Sequence, residues 1–326
     1  MKALPLRRQC GAALLTAMLT VALVATFAAA SLWQQWRSIE VETAERARIQ
    51  SEWLLTGALD WSRLLLREDA RAGGADHLGE PWAVPLQEAR LSSFLAADRN
   101  NSADTGPDVL DAFLSGQIRD MQSLLNINNL LDNSGKISEP GLRTFFRLFD
   151  LLGLPPEQLT ALAENLRAAS ATGSGVAPTA ALVPRRVDQL VWLGLPAETA
   201  AALQPYVTIL PRRDTKVNLN TASAEVIYAV SLGLSMAEAQ QLVTERERSP
   251  FLTVAAALRL VSAAAMPEGQ AQVAVASQYF EVRARLRLDQ LVVEERALLH
   301  RDGTLVTTED RERGMIEPGA PAVAPR

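Results

Sequence analysis

Residues Gly11 to Leu32 (GAALLTAMLTVALVATFAAASL) run for 22 positions without a charged side chain. At about 1.5 Å of helical rise per residue, such a run crosses the roughly 30 Å hydrocarbon layer of a bilayer. Lys2, Arg7 and Arg8 precede it, and Trp33 and Trp36 follow it. Basic residues remain on the cytoplasmic side and tryptophans favour the interface, so everything beyond about Trp36 is expected on the far side of the membrane. The remainder reads as globular: of 326 residues, 48% are hydrophobic and 21% charged, too polar for further spans and long enough for more than one domain.

Several processing routes fit this start. Ala28-Ala29-Ala30 before Ser31 offers a small-residue site for signal peptidase, but a secretory core is usually about 7–15 apolar residues. A lipoprotein does not fit, because Cys10 precedes the apolar run. A plain anchor remains open. The fourth route follows from what comes next: no proline interrupts the chain between Leu6 and Pro81. Ala47, Leu54, Ala58, Trp61 and Leu65 recur at steps of seven, four, three and four, which predicts one apolar helix face packed on a sheet of the same protein. Glu45, Arg46, Arg48, Glu52 and Arg63 stand on the opposite side, so one helix of roughly 55 residues, first half in lipid and second half on a soluble domain, is predicted. A basic leader, a glycine, an apolar start and such a helix resemble a type IV pilin-like precursor. That resemblance implies cleavage by a prepilin peptidase between Gly11 and Ala12, followed by methylation of the new terminus. The fifth residue from that cut, a glutamate in most pilins, is here Thr16, as expected of a subunit with no neighbour ahead of it.

Beyond the helix, 69–111 reads as loop with short helical pieces, and Gln117–Asn129 as a strand-like segment ending in asparagine-rich turns. Asp132-Asn133-Ser134-Gly135 opens like a calcium loop, but the spaced acids and later glutamate of such a site are missing, so a turn is expected. From Leu142 to Met266 helical hairpins repeat. Leu152-Gly153-Leu154-Pro155 recurs as Leu193-Gly194-Leu195-Pro196 and more loosely as Leu232-Gly233-Leu234-Ser235, each glycine closing one helix before the next opens. An Ala/Ser/Gly-rich linker, 168–184, interrupts the series. In Val217-Asn218-Leu219-Asn220-Thr221-Ala222, Asn220 or Thr221 is expected to cap a helix starting near Ala222. After Val275 the period becomes two: Phe280, Val282, Ala284, Leu286 and Leu288 alternate with charged residues, and strands at 292–301 and 304–308 complete an antiparallel meander.

These elements predict an α+β fold: a pilin-like N-terminal helix on an antiparallel sheet with a large all-α hairpin domain inserted. The expected divisions are a leader (1–11), a transmembrane part (12–33), an α+β domain (34–135 and 272–313), the insert (136–271) and a disordered tail (314–326). In this order the chain resembles the type II secretion minor pseudopilin K family. The matching stretches are Gly11–Leu15, Asp76–Ala83, Asn126–Leu130, Leu210-Pro211, Val217–Ala222 and Ser277–Phe280. The resemblance implies a single-pass inner-membrane precursor with its C-terminal domain in the periplasm. It further implies a place at the tip of a pseudopilus with minor pseudopilins I, J and H above the major pseudopilin, and no enzymatic activity. Calcium is possible by resemblance, but residues 164–184 hold the linker where an acidic Asp-Trp-x-x-Asp stretch is expected, so the metal ligands are unknown.

A rival reading is a membrane-anchored helix-hairpin-helix DNA-binding protein of the competence-receptor kind, suggested by Asn218–Ala222 followed by a hairpin. Such hairpins carry two glycines and an adjacent base, whereas Leu232-Gly233-Leu234-Ser235 has one glycine. Removing the leader takes three of the 32 basic residues and leaves 29 against 37 acidic ones, a balance of −8 that opposes a nucleic-acid partner. For an enzyme, two isolated histidines (His77, His300), one cysteine and acid pairs such as Asp69/Asp76 or Glu294/Glu295 assemble no catalytic set.

Overall fold

The computed structural model describes residues 10–91, 112–171, 181–261, 272–288 and 291–316. The chain divides into two units, Met1–Leu54 and Leu55–Arg326. In the first, helix α1 begins at Cys10 and its apolar residues, Leu14 to Trp36 among them, are solvent-exposed. It is long and apolar enough to cross a membrane. Helix α1 ends at Ala72, 63 residues in all, where Gly73 (φ 67°) donates its N–H to Asp69 O and closes the last turn.

The second unit carries the sheet and the helical insert. The strands are β1 (Leu86–Arg90), β2 (Ala112–Asp120), the two-residue β3 (Leu125–Asn126), β4 (Val207–Thr208), β5 (Val217–Asn218) and β6 (Val273–Ala274), then β7 (Tyr279–Leu288), β8 (Leu291–Asp302) and β9 (Leu305–Ile316). Five form one antiparallel sheet in the order β1-β2-β7-β8-β9. Phe280, Val282, Ala284, Leu286 and Leu288 are buried on one face, as their alternation predicts. Strand β1 was expected as loop; Leu-Gln-Glu-Ala-Arg has no apolar alternation and is held as an edge by pairing with β2. Strand β9 reaches Ile316, past the expected end at 308 and past the expected start of the tail at 314; residues 317–326 lie outside the described residues.

The face that α1 lays on the sheet differs from expectation by one residue. Leu55, Leu59, Ser62 and Leu66 are buried, whereas Trp61 is 47% exposed and Leu54, Ala58 and Leu65 are half-buried. Leu59 and Leu66 pack with Trp82, Phe280, Val282, Ala297 and Leu299, and Trp82 meets Phe280 edge-on at 5.1 Å. Each fully buried leucine contributes about 1.5–3 kcal/mol. Arg63 hydrogen-bonds Thr308, and Arg311 donates to Thr56 Oγ1 at 3.0 Å, fastening the helix to β9.

The helical insert has its own core, including Phe145, Leu148, Phe149, Leu159, Leu190 and Leu203. Its main helices are Glu139–Leu151, Pro156–Ala169, Ala197–Leu203, Ala224–Val230, Met236–Arg248 and Val254–Leu258. The repeated glycines, Gly153, Gly194 and Gly233, all adopt positive φ (65°, 83° and 91°), which is why glycine recurs at each hairpin. Leu125, Ile127, Leu130, Leu131 and Val273 also belong to this core, so its packing begins near residue 125. Of the linker, 172–180 lies outside the described residues, as does the polar run 99–108.

Candidate functional site

Most of the stretches singled out in the sequence converge on one buried polar junction between sheet and insert. Asp120 closes β2, Asn218 closes β5, Ser277 precedes β7, Arg301 lies near the end of β8, and Asp76 follows α1. All five are buried. Asp120 Oδ2 accepts from Thr221 Oγ1 (2.6 Å), Ser277 Oγ (2.7 Å) and Asn218 Nδ2 (3.1 Å), and Asp120 Oδ1 accepts from Gln122 N (2.8 Å). Asn218 Nδ2 also reaches Asp76 O at 3.1 Å and Ser277 Oγ at 3.0 Å. Arg301 donates to Asp69 Oδ2 (2.6 Å), to both oxygens of Asp76 (2.5 and 2.6 Å) and to Ser277 O (2.8 Å), with its guanidinium over the Phe280 ring.

Burial drives the electrostatics. Asp120 is held above the usual carboxylate range by desolvation, against the lowering pull of Ser277, Thr221 and Gln122. Asp76 is raised by burial, against Arg301, and Asp69 by burial together with the nearby Glu80. Arg246, half-buried beneath the same turn, is lowered to about 10 by desolvation while donating to Leu219 O and Ala222 O.

Asn218 and Thr221 meet at this junction, with Asn220 beside it donating its backbone N–H to Asn218 Oδ1, but none of the three is the helix cap. The helix starts at Ala224, and its cap is Ser223, whose Oγ accepts from Val226 N. Thr221 is drawn to Asp120 instead, and Asn220 bonds both polar groups of Phe251 (Oδ1 from Phe251 N at 2.8 Å, Nδ2 to Phe251 O at 2.9 Å). A second asparagine set clamps the 210–215 loop: Asn126 accepts from Leu210 N and donates to Arg212 O, and Asn129 exchanges bonds with Thr215. Sequence reasoning missed Asp120 and Arg301 as partners of these residues; Asp76 and Ser277 stood inside quoted stretches without an assigned role. Gly11 and Ala12 lie at the start of α1, and Thr16 Oγ1 donates to Ala13 O at 2.9 Å.

Among the described residues, one acidic grouping brings its oxygens close together and one turn opens like a calcium loop, and in both the carboxylates are already engaged, whereas a calcium ion takes six to eight oxygens. Asp69, Asp76 and Glu80 have oxygens within 4.8 Å of one another, but the Arg301 guanidinium bridges the two aspartates, and Glu80 accepts from Trp82 Nε1 and His77 N. In the 132–135 turn, Asp132 Oδ1 already accepts from Ser134 N, Ser134 Oγ and Lys136 N, bonds that lower its pKa. The hydroxyls of Ser277 and Thr221 both donate to Asp120, so they are held as structural donors. Glu294 and Glu295, adjacent on a strand, face opposite sides of the sheet, and Glu295 is taken up by Arg311 and Arg313. At the hairpin where a phosphate would dock, Glu238 accepts from Ser235 N, placing a carboxylate at that helix start.

Comparison with known proteins agrees with this architecture. Two family models, both described as type II secretion system (T2SS), protein K, match residues 123–212 and 217–281. The type II secretion system protein K of Pectobacterium carotovorum subsp. carotovorum is 29% identical over 339 residues, covering 94% of this chain and 97% of its own length. That of Pseudomonas aeruginosa is 27% identical over 306 residues, covering 86% of each. The fold is also that of a chain in the crystal structure of the GspK-GspI-GspJ complex from the enterotoxigenic Escherichia coli type 2 secretion system. The TM-score is 0.58 at 15% identity, over 83% of this chain and 98% of that one. The matched regions take in the hairpin insert and the residues 218, 221 and 277 that join it to the sheet, and along nearly its whole length the chain is similar to the type II secretion system protein K family.

Proposed function

We propose that this chain is a minor pseudopilin at the tip of a type II secretion pseudopilus. Prepilin peptidase cuts between Gly11 and Ala12, and the new terminus is methylated. Ala12–Leu32 holds the precursor in the inner membrane, with the remainder in the periplasm, and after assembly packs among the helices of the filament. The protein works by occupying a place, together with minor pseudopilins I, J and H above the major pseudopilin, so that folded proteins are exported across the outer membrane. It catalyses nothing and binds no nucleic acid.

The observation that carries this reading is the 63-residue α1, apolar and exposed in its first half and applied to an antiparallel sheet in its second, in a chain with a hairpin insert of the protein K kind. Thr16 supports the tip position, because a subunit with no neighbour ahead needs no glutamate there. The bulk of residues 136–271, with a core of their own, supports it too: a filament wall has no room for such an insert. The I and J partners are taken from the solved relative, named as a GspK-GspI-GspJ complex. Co-expression with tagged pseudopilin I and untagged J of the same system tests the reading. All three should purify together through the tag. An I–J pair that leaves this chain behind would overturn it.

A further inference from the structure

The face of β7 opposite Phe280 and Val282 is charged, and where it meets the insert a cleft of about 150 Å³ opens. One wall is β2, β7 and β8; the other is formed by 185–188 and 207–209. Five guanidinium groups line it, those of Arg119, Arg185, Arg186, Arg283 and Arg296, against three carboxylates. Each carboxylate is already engaged. Glu281, 3% exposed, is shared by Arg283 and Arg296. Asp188 takes Arg186 at 2.9 Å, and Asp310 lies 4.0 Å from Arg185.

Arg119 is left over. Its side chain is solvent-exposed, and among the described residues it makes no hydrogen bond or ion pair; partial desolvation against the sheet and Arg283 alongside lower its pKa, while Glu281 and Asp120 act on it only through their fields. A second donor in the cleft, Arg186 Nε, is buried with no hydrogen-bond partner. Two unused guanidinium donors beside a floor of Met121, Leu124, Val207 and Leu298 ask for a ligand with both an anionic group and apolar flanks. Arginine pairs best with a planar carboxylate or a phosphate. A polyphosphate or a bilayer headgroup layer brings negative charge but no apolar side chains small enough to enter the recess and meet that floor.

We propose that this cleft docks an acidic segment of a partner protein, with one carboxylate paired to Arg119 and neighbouring apolar side chains laid on Met121 and Leu298. The site is far in sequence from the processed N-terminus, so this proposal and the pilin-like processing fail separately.

Fluorescence anisotropy of the full chain in detergent micelles tests it. The probe is a fluorescein-labelled decapeptide of alternating glutamate and valine; the alternating glutamine–valine peptide and empty micelles are controls. Binding should weaken about ten-fold or more in Arg119→Gln, as expected for a lost charge-assisted pair, and persist in Arg167→Gln, an exposed arginine paired with Glu164 elsewhere. Arg119→Lys should fall between, keeping the charge but losing the planar fork. Raising salt from about 50 mM to about 500 mM should release the peptide. Equal affinity in Arg119→Gln and Arg167→Gln overturns the proposal, as does absence of binding or equal binding of the glutamine peptide. Stronger, Arg119-dependent binding of an oligothymidylate or of phosphatidylglycerol vesicles would also overturn it, assigning the cleft to a phosphate ligand. Thermal melts of each variant separate lost binding from lost fold.

Discussion

Replacing Arg301 with methionine tests whether the polar junction holds the sheet to the end of α1. Methionine keeps most of the side-chain volume and its contact with Phe280, so the change is chiefly electrostatic. It removes the bonds to Asp69 Oδ2, both oxygens of Asp76 and Ser277 O, and leaves two carboxylates that are only 13% and 5% exposed. Breaking a buried pair by removing one partner costs about 3–5 kcal/mol, because the remaining charge has no counterion. For a domain of this size that lowers the melting temperature by about 6–20 °C. The pH dependence has a definite sign. Both aspartates already titrate above the ordinary carboxylate value, through burial and, for Asp69, Glu80, and Arg301 is what opposes the rise. With Arg301 gone they rise further. A carboxyl raised in the native state binds more protons there than in the unfolded chain at any pH between its unfolded value of about 4 and its native one, so stability falls as pH climbs through that window. The deficit of Arg301→Met should therefore be largest near pH 7.5 and shrink toward pH 5. Circular-dichroism melts of the full chain in micelles at the two pH values measure this. A loss below about 1 kcal/mol, or an equal loss at both, would refute the reasoning.

Three further outcomes follow from the geometry. Leu66→Ala should cost about 2–5 kcal/mol in a urea melt and more than Trp61→Ala, whose side chain is 47% exposed; the opposite order would restore the helix face expected from the sequence. Gly141→Ala places a Cβ 2.0 Å from the Asn129 carbonyl oxygen and should destabilise by about 3 kcal/mol or more, while Gly57→Ala, with nothing within 4 Å, should stabilise α1 by about 0.5–1 kcal/mol. Leu19→Arg, near the middle of the apolar run, costs about 2.5–3.5 kcal/mol on insertion and should shift the precursor from the membrane to the soluble fraction; full membrane retention would count against an anchor there.

The alternation of Phe280 to Leu288 and the spacing of Gly153, Gly194 and Gly233 were legible because each reports a local constraint, the pleat of a strand or a left-handed turn. The α1 face was legible only to within one residue. Leu54/Ala58/Trp61/Leu65 and Leu55/Leu59/Ser62/Leu66 are neighbouring stripes with the same spacing, and the sheet, with Thr308 and Arg311 on β9, decides between them. Choosing the stripe with the tryptophan favoured hydrophobicity over fit. The capping role given to Asn220 and Thr221 failed for a related reason: a local polar group next to a helix start reads as a cap, yet Asp120, 101 positions from Thr221, offers a buried carboxylate that Ser223 leaves free for it. The junction as a whole joins residues from 69 to 301, and no window of sequence contains it. Its members were visible only as short separate stretches.

The account rests most on the N-terminus being that of a pilin-like precursor. Co-expression with a prepilin peptidase, followed by intact mass and N-terminal sequencing, tests it directly. The account predicts a chain that begins at Ala12 and carries one added methyl group. A chain that begins at Ser31, or one that keeps Met1 beside an active peptidase, would contradict it.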